Sequence, residues 1–216
     1  MVLDLDETLV SLVKEKEKKD GTVKLKIKGD NEKTTEMLFV FRPYLSKFLK
    51  WAHLHFELVI FTASIENYAQ AIVDYLDPNK KLFAAVLSRQ SCMETKNGLY
   101  IKDLRIIRNR KLSNIILIDN LVHSFAFQIN NGFPILEFKG NQQDKELMHL
   151  ADFLKEVSNA EDIPSFLKEH VGLAEESPET PKENKEQKKV KVSKKGLSIG
   201  LNNDATKSFG SINILF

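Results

Sequence analysis

MVLDLDETLV, residues 1–10, is the stretch that decides how this 216-residue chain is read. Val2, Leu3 and Leu5 are apolar with strand character, and Asp4 and Asp6 fall among them two residues apart. Side chains on an extended strand repeat every two residues, so this spacing aims both carboxylates the same way. Carboxylates at the end of a buried strand are costly unless something cationic meets them. A divalent metal and a phosphoryl group are the companions that such a pair suggests. Thr8 follows in the same turn.

Working outward, residues 2–5 read as a buried strand and residues 11–41 as an insertion behind it. The insertion holds a Lys/Glu-rich turn, VKLKIKG with period-two alternation, a polar turn and MLFVF, which predicts a β-hairpin. Arg42-Pro43 opens a helical stretch with Tyr44, Phe48 and Trp51 at turn spacing. FELVIF (56–61) is a continuous apolar run, as in a strand covered on both faces. A helix follows over 65–75, a short strand at 84–87 and a buried strand, IILI, at 115–118. Asp119-Asn120 comes directly after it. PILEF (134–138) predicts a further strand, and 144–157 and 162–170 predict closing helices.

Buried strands alternating with helices predict an α/β fold, a doubly wound and mostly parallel sheet with a small β-hairpin inserted after the first strand. Such sheets take ligands at the carboxyl ends of their strands. Asp4/Asp6, Thr62 and Asp119/Asn120 all fall there. The domain is expected over 1–173. From 174 the chain turns charged, and EESPETPKENKEQKKVKVSKK is expected to be disordered up to an apolar end, SFGSINILF (208–216).

Composition narrows the function classes. The formal net charge is +2, and basic and acidic residues balance through residue 173, which argues against non-specific nucleic-acid binding. Cys92 is alone, so no internal disulfide can form, as fits a reducing compartment. No run reaches the ~18 apolar residues of a membrane helix. The first apolar stretch is too short and too acidic for a signal peptide. The expectation is an intracellular monomer, nuclear or cytoplasmic, without a membrane segment. Met1 falls inside the first strand, which points to a chain continuing upstream or to a truncated product. His53 and His55 read as capping or surface residues rather than zinc ligands. Cys92 and His123 read as packing residues. KKVKVSKK (188–195) reads first as a solvated tail and second as an import signal.

The residues also suggest a reaction. A carboxylate can attack phosphorus to form a covalent intermediate. A second carboxyl can protonate the leaving oxygen and then deprotonate water. Mg2+ with oxygen ligands neutralises the phosphoryl charge, and Asn120 beside Asp119 can supply a neutral ligand. Thr62, ending one strand before a helix, can hold a phosphate oxygen. Lys102 is the best candidate for the balancing ammonium.

DLDET (4–8), FTAS (61–64), a lysine and DN (119–120), in that order, resemble the haloacid dehalogenase superfamily. RPYLSKFL (42–49), FTASIENYA (61–69), SRQSC (88–92), GLYIKDL (98–104) and IILIDN (115–120) are similar to the small C-terminal-domain phosphatases, also called NLI-interacting-factor-like phosphatases. The resemblance runs through about residue 170. It implies a Mg2+-dependent protein serine/threonine phosphatase working through a phospho-aspartate. It further implies that Asp4 is nucleophile and metal ligand, and that Asp6 is general acid/base and a ligand through its backbone carbonyl. Asn120 is implied as third ligand, with Asp119 and Thr8 beside it. Thr62 and Lys102 are implied on the phosphate, and Arg89 and Tyr68 beside a substrate phosphoprotein such as the RNA polymerase II tail. Lys14 stands where many members carry an aromatic residue that receives a substrate proline, and Leu121-Val122-His123 replaces the usual Ser-Pro. Two alternatives carry the same fold: a non-catalytic mitochondrial translocase receptor, and a phosphatase of small metabolites.

Overall fold

In the computed structural model, residues 1–18, 21–29 and 33–172 are described. The expected tail from 174 lies outside them. The parallel sheet is built from β1 (Val2–Leu3), β5 (Leu58–Phe61), β6 (Phe83–Leu87), β9 (Leu117–Asp119) and β10 (Gly132–Pro134), in the order β10-β9-β1-β5-β6. The N-terminal strand is therefore central. Val2 registers with Val59 on one side and Leu117 on the other, and Leu3 with Ile60 and Ile118.

Its continuous apolar runs are explained by cover on both faces. Leu3, Ile60 and Ile118 pack with Leu49 of α1 (Leu45–His55), Ile72 of α2 (Glu66–Leu76), Leu150 of α3 (Glu146–Val157) and Leu167 of α4 (Ile163–His170). Val2, Val59, Phe61 and Leu117 point the other way, onto Leu104 and Phe125. The doubly wound α/β expectation is met.

The insertion is larger than a hairpin. β2 (Val10–Val13), β3 (Val23–Lys28) and β4 (Thr34–Phe41) form a three-stranded antiparallel sheet, ordered β2-β4-β3. The expected hairpin is its β3–β4 half. The third strand was hidden because Val10 to Val13 follow directly on the DLDET turn. PILEF is also corrected, since β10 ends at Pro134. Ile135 N–H still donates to the Asp119 carbonyl of β9 at 3.0 Å, but Phe138 N–H turns to the Glu7 carbonyl at 2.6 Å, so this segment ties the end of β9 to the loop after β1. A short hairpin of β7 (Met93–Glu94) and β8 (Tyr100–Ile101) precedes Lys102. Val122–Asn131 forms kinked 3-10 turns, although Val122, Phe125, Ala126 and Ile129 keep a helical apolar spacing.

Candidate active site

Four segments far apart in sequence meet where β1, β5 and β9 end. After Leu3 the chain turns sharply. Glu7 takes a left-handed φ of 58°, and Leu9 N–H reaches back to the Leu5 carbonyl at 2.8 Å. The turn leaves Asp4 buried and Asp6 half-buried. Asp4 lies beside the sheet axis, its backbone N–H donating to Ile118 at 3.0 Å.

The buried Lys102 ammonium donates to Asp4 Oδ1 and to Asp119 Oδ2, at 2.6 Å each. Lys102 reaches them because its own N–H is pinned to the Ser124 carbonyl at 2.7 Å, directly after β8. Asp119 spends its other oxygen on the N–H of Leu121, at 2.8 Å. Burial alone would strip the Lys102 proton, but the two carboxylates outweigh it and hold this ammonium above its usual range. Burial pushes the Asp4 carboxyl up to about 7; Lys102 opposes the rise, while Asp119 and Asp6 add to it. Asp4 and Asp119 share one ammonium, and the Asp6 charge acts on Asp4, so the cluster has more acidic groups than basic ones and an excess of negative charge.

Asp6 is held from the other side. Ser64 Oγ donates to its Oδ2 at 2.7 Å and the Tyr68 hydroxyl to its Oδ1 at 2.5 Å. Tyr68 also turns a T-shaped ring edge on Phe39, centroids 5.6 Å apart. Burial and the Asp6 charge together push its phenol well above the ordinary range. Thr62 is buried at the end of β5, where its Oγ1 accepts the Ser64 N–H at 3.0 Å in a tight hydroxyl turn. That bond uses the oxygen as acceptor and leaves the hydroxyl proton to donate.

Asn120 projects from the end of β9. Thr8 Oγ1 lies 3.3 Å from its Oδ1, and its Nδ2 lies 3.4 Å from Glu7 Oε2. Both are long for such bonds, so the amide oxygen is only weakly engaged. Among the described residues no three His, Cys, Asp or Glu side chains are grouped to hold a metal. Asp4 and Asn120 follow the neighbouring strands β1 and β9 and offer a carboxylate and an amide oxygen. Oxygen donors of this kind suit Mg2+, which keeps several waters.

Arg89 is exposed. Its Nε donates to the Ala63 carbonyl at 2.6 Å, and its guanidinium lies 5.1 Å from the Tyr100 ring centroid. Burial pushes the Cys92 thiol up, and its Sγ sits 3.7 Å from the Thr62 carbonyl.

Sequence reasoning missed two parts. Ser64 was passed over, although its place two residues after Thr62 was the available signal. Arg42 was read only as a helix opener. It is 1% exposed, grips Asp144 through Nε and Nη2 at 2.9 Å each, and donates to the Thr8 and Leu136 carbonyls at 2.9 and 2.8 Å. It thereby fixes the turn that carries Asp4 and Asp6.

The NLI interacting factor-like phosphatase family matches residues 1–164. CTD small phosphatase-like protein 2 of Dictyostelium discoideum is 37% identical over 174 residues, 80% of this chain and 30% of that protein. Carboxy-terminal domain RNA polymerase II polypeptide A small phosphatase 2 of Homo sapiens is 38% identical over 169 residues, 77% of this chain and 60% of that protein. The chain thus spans less than two thirds of these relatives. Among solved structures, fission yeast RNA polymerase II CTD phosphatase Fcp1 bound to beryllium fluoride superposes with a TM-score of 0.66 at 16% identity, covering 78% of this chain and 69% of that one. That likeness is one of fold.

Proposed function

This chain belongs to the NLI interacting factor-like phosphatase family, and on that premise we propose that it hydrolyses phosphoserine and phosphothreonine esters in protein segments through a phospho-aspartate at Asp4. The observation that carries the reading is the Lys102 ammonium, 2.6 Å from both Asp4 and Asp119. It holds the first strand's carboxylate against the end of β9 and orients it, with Oδ2 left to attack.

In the first step Asp4 Oδ2 bonds to phosphorus while the bond from phosphorus to the seryl or threonyl oxygen breaks. A protonated Asp6 gives that oxygen its proton. In the second step water attacks phosphorus, Asp6 takes the water proton, the bond to Asp4 breaks and inorganic phosphate leaves. Ser64 and Tyr68 keep Asp6 in place, and because hydroxyls both donate and accept, they can serve either protonation state. Thr62 donates its hydroxyl proton to a phosphoryl oxygen. Asp4, the Asp6 carbonyl and Asn120 would hold Mg2+, which would supply charge neutralisation at the phosphoryl group. The excess negative charge of the cluster supports a divalent cation there.

The substrate class is argued from the mouth of the site. The insertion is a small sheet, and Leu121, Val122 and Arg89 stand exposed around the ends of the strands. An open approach suits a polypeptide better than a metabolite. The relatives' RNA polymerase II tail is one such polypeptide, although exposed Lys14 offers no aromatic face to a substrate proline. Among the described residues no helix is long and apolar enough to cross a membrane. The free Cys92 supports a reducing compartment, nuclear or cytoplasmic.

Phosphate release from p-nitrophenyl phosphate and from phosphopeptides, with Mg2+ and with EDTA, tests the proposal. Turnover is expected on both with Mg2+ and on neither with EDTA. Asp4→Asn is expected to abolish it while far-UV circular dichroism stays unchanged. Normal Mg2+-dependent turnover by Asp4→Asn would overturn the reading.

A further inference from the structure

A groove of about 610 Å³ lies between the first half of α1 and the end of α2, and none of Asp4, Asp6, Thr62, Lys102 or Asn120 lines it. Its wall is aromatic. Phe41 and Tyr75 stack with centroids 4.8 Å apart and planes 15° from parallel, and Tyr75 remains 48% exposed. Tyr44 adds a third ring. It sits at φ 66° and ψ 2°, a left-handed conformation that costs an L-residue roughly 1–2 kcal/mol. Tyr44 is 44% exposed. Its conformation is that of the third position of the Arg42–Leu45 turn, with Pro43 before it and Leu45 N–H donating to the Arg42 carbonyl at 3.2 Å, and this turn leaves the ring on the groove.

The charge of the lining has one sign. Arg42, Lys47 and Lys50 line the groove and no acidic residue does. Arg42 is already satisfied by Asp144. Lys47 and Lys50 are exposed and have no ion-pair partner among the described residues. Aromatic walls beside unpaired ammonium groups match a ligand with an apolar anchor and negative charge around it.

We propose that this groove docks an acidic segment of another protein, anchored by an aromatic or aliphatic side chain, at a surface separate from the phosphoryl site. The rings take the anchor, and Lys47 and Lys50 select acidic flanks. Catalysis does not require the contact. It raises the local concentration of proteins that carry such a segment.

Fluorescence anisotropy with the full chain tests this. The probe is a labelled peptide of alternating Asp/Glu and Phe/Leu, compared with one in which Lys replaces the acids and one in which Ser replaces the apolar residues. The acidic apolar peptide is expected to bind saturably and more weakly as salt rises, and both controls to bind at least about tenfold more weakly. Lys47→Glu with Lys50→Glu is expected to weaken binding about tenfold or more, and Tyr75→Ser likewise, while Tyr75→Phe retains it. Turnover of p-nitrophenyl phosphate is expected to stay unchanged in the lysine variant. Equal binding of the control peptides, or by the lysine variant, would overturn the proposal. So would displacement of the probe by a phosphopeptide, which would put it in the phosphoryl site. Binding gained only on removal of residues 173–216 would overturn it in favour of the chain's own acidic stretch at Glu175, Glu176 and Glu179.

Discussion

Asp6 shows how much of the proposed chemistry depends on neighbours one atom thick. Its two oxygens are gripped by Ser64 and Tyr68, so the proton it must release and recover moves within a fixed frame. Tyr68→Phe keeps the ring on Phe39 and removes only the hydroxyl. The expected result is a fall in kcat of about tenfold on p-nitrophenyl phosphate, about 1.4 kcal/mol, with KM and Tm little changed. Steady-state kinetics and a thermal melt check this. At this scale the sequence was informative where a side chain's neighbours in the chain were themselves distinctive. Asp4, Asp6 and Asn120 announce themselves as acids or an amide at the ends of apolar runs. Lys102 is one lysine among many, and only its GLYIKDL surroundings single it out. Ser64 and the bond from Tyr68 to Asp6 were not legible, because a hydroxyl's partner is set by tertiary approach across 58 and 62 residues.

Among the elements, two polar anchors hold the frame. Arg42, at the end of β4, ties the DLDET turn to the segment before α3 by way of Asp144 and Leu136. Arg42→Met strands a carboxylate and two carbonyls, at an expected cost of about 3–5 kcal/mol. Adding Asp144→Leu is expected to recover part of that loss. Denaturant midpoints measure both effects. Asp77 does comparable work between α2 and β6. Burial raises its carboxyl, but the N–H groups of Lys81, Leu82 and Phe83 outweigh burial and hold it below the usual carboxylate range. A group acidified on folding stabilises fully above its unfolded value of ~3.9. That stability is lost as pH falls through the folded value. Asp77→Asn is therefore expected to lower Tm at neutral pH and to flatten the fall of Tm with acid. A wild-type slope kept in the variant would contradict this. Most elements were legible from apolar period and run length. The third strand of the insertion, the early end of β10 and the 3-10 turns of Val122–Asn131 were not. The third strand and the end of β10 are fixed by where backbone amides find carbonyls in other segments, as when Phe138 N–H pairs with Glu7 rather than with a strand, whereas the 3-10 turns carry an apolar spacing that fits an α-helix equally well.

On the scale of the whole molecule, the sheet order explains why so short a motif carries so much. Placing β1 between β5 and β9 sets the DLDET turn beside both FTAS and DN, so residues more than a hundred positions apart share one cluster of charge. The doubly wound fold was readable from the alternation of buried strands and helices. The groove between α1 and α2 was not, since it forms from Phe41, Tyr44 and Tyr75, which look like core residues in a linear string. The central claim is that Asp4 becomes covalently phosphorylated. Acid-quenching the enzyme during turnover with Mg2+, reducing it with borohydride and mapping peptides by mass spectrometry tests this most directly, because an aspartyl phosphate is reduced to homoserine. Homoserine is expected at position 4, lost in EDTA and lost without substrate. Undiminished phosphate release with Asp4 unmodified, or homoserine at another aspartate, would contradict it.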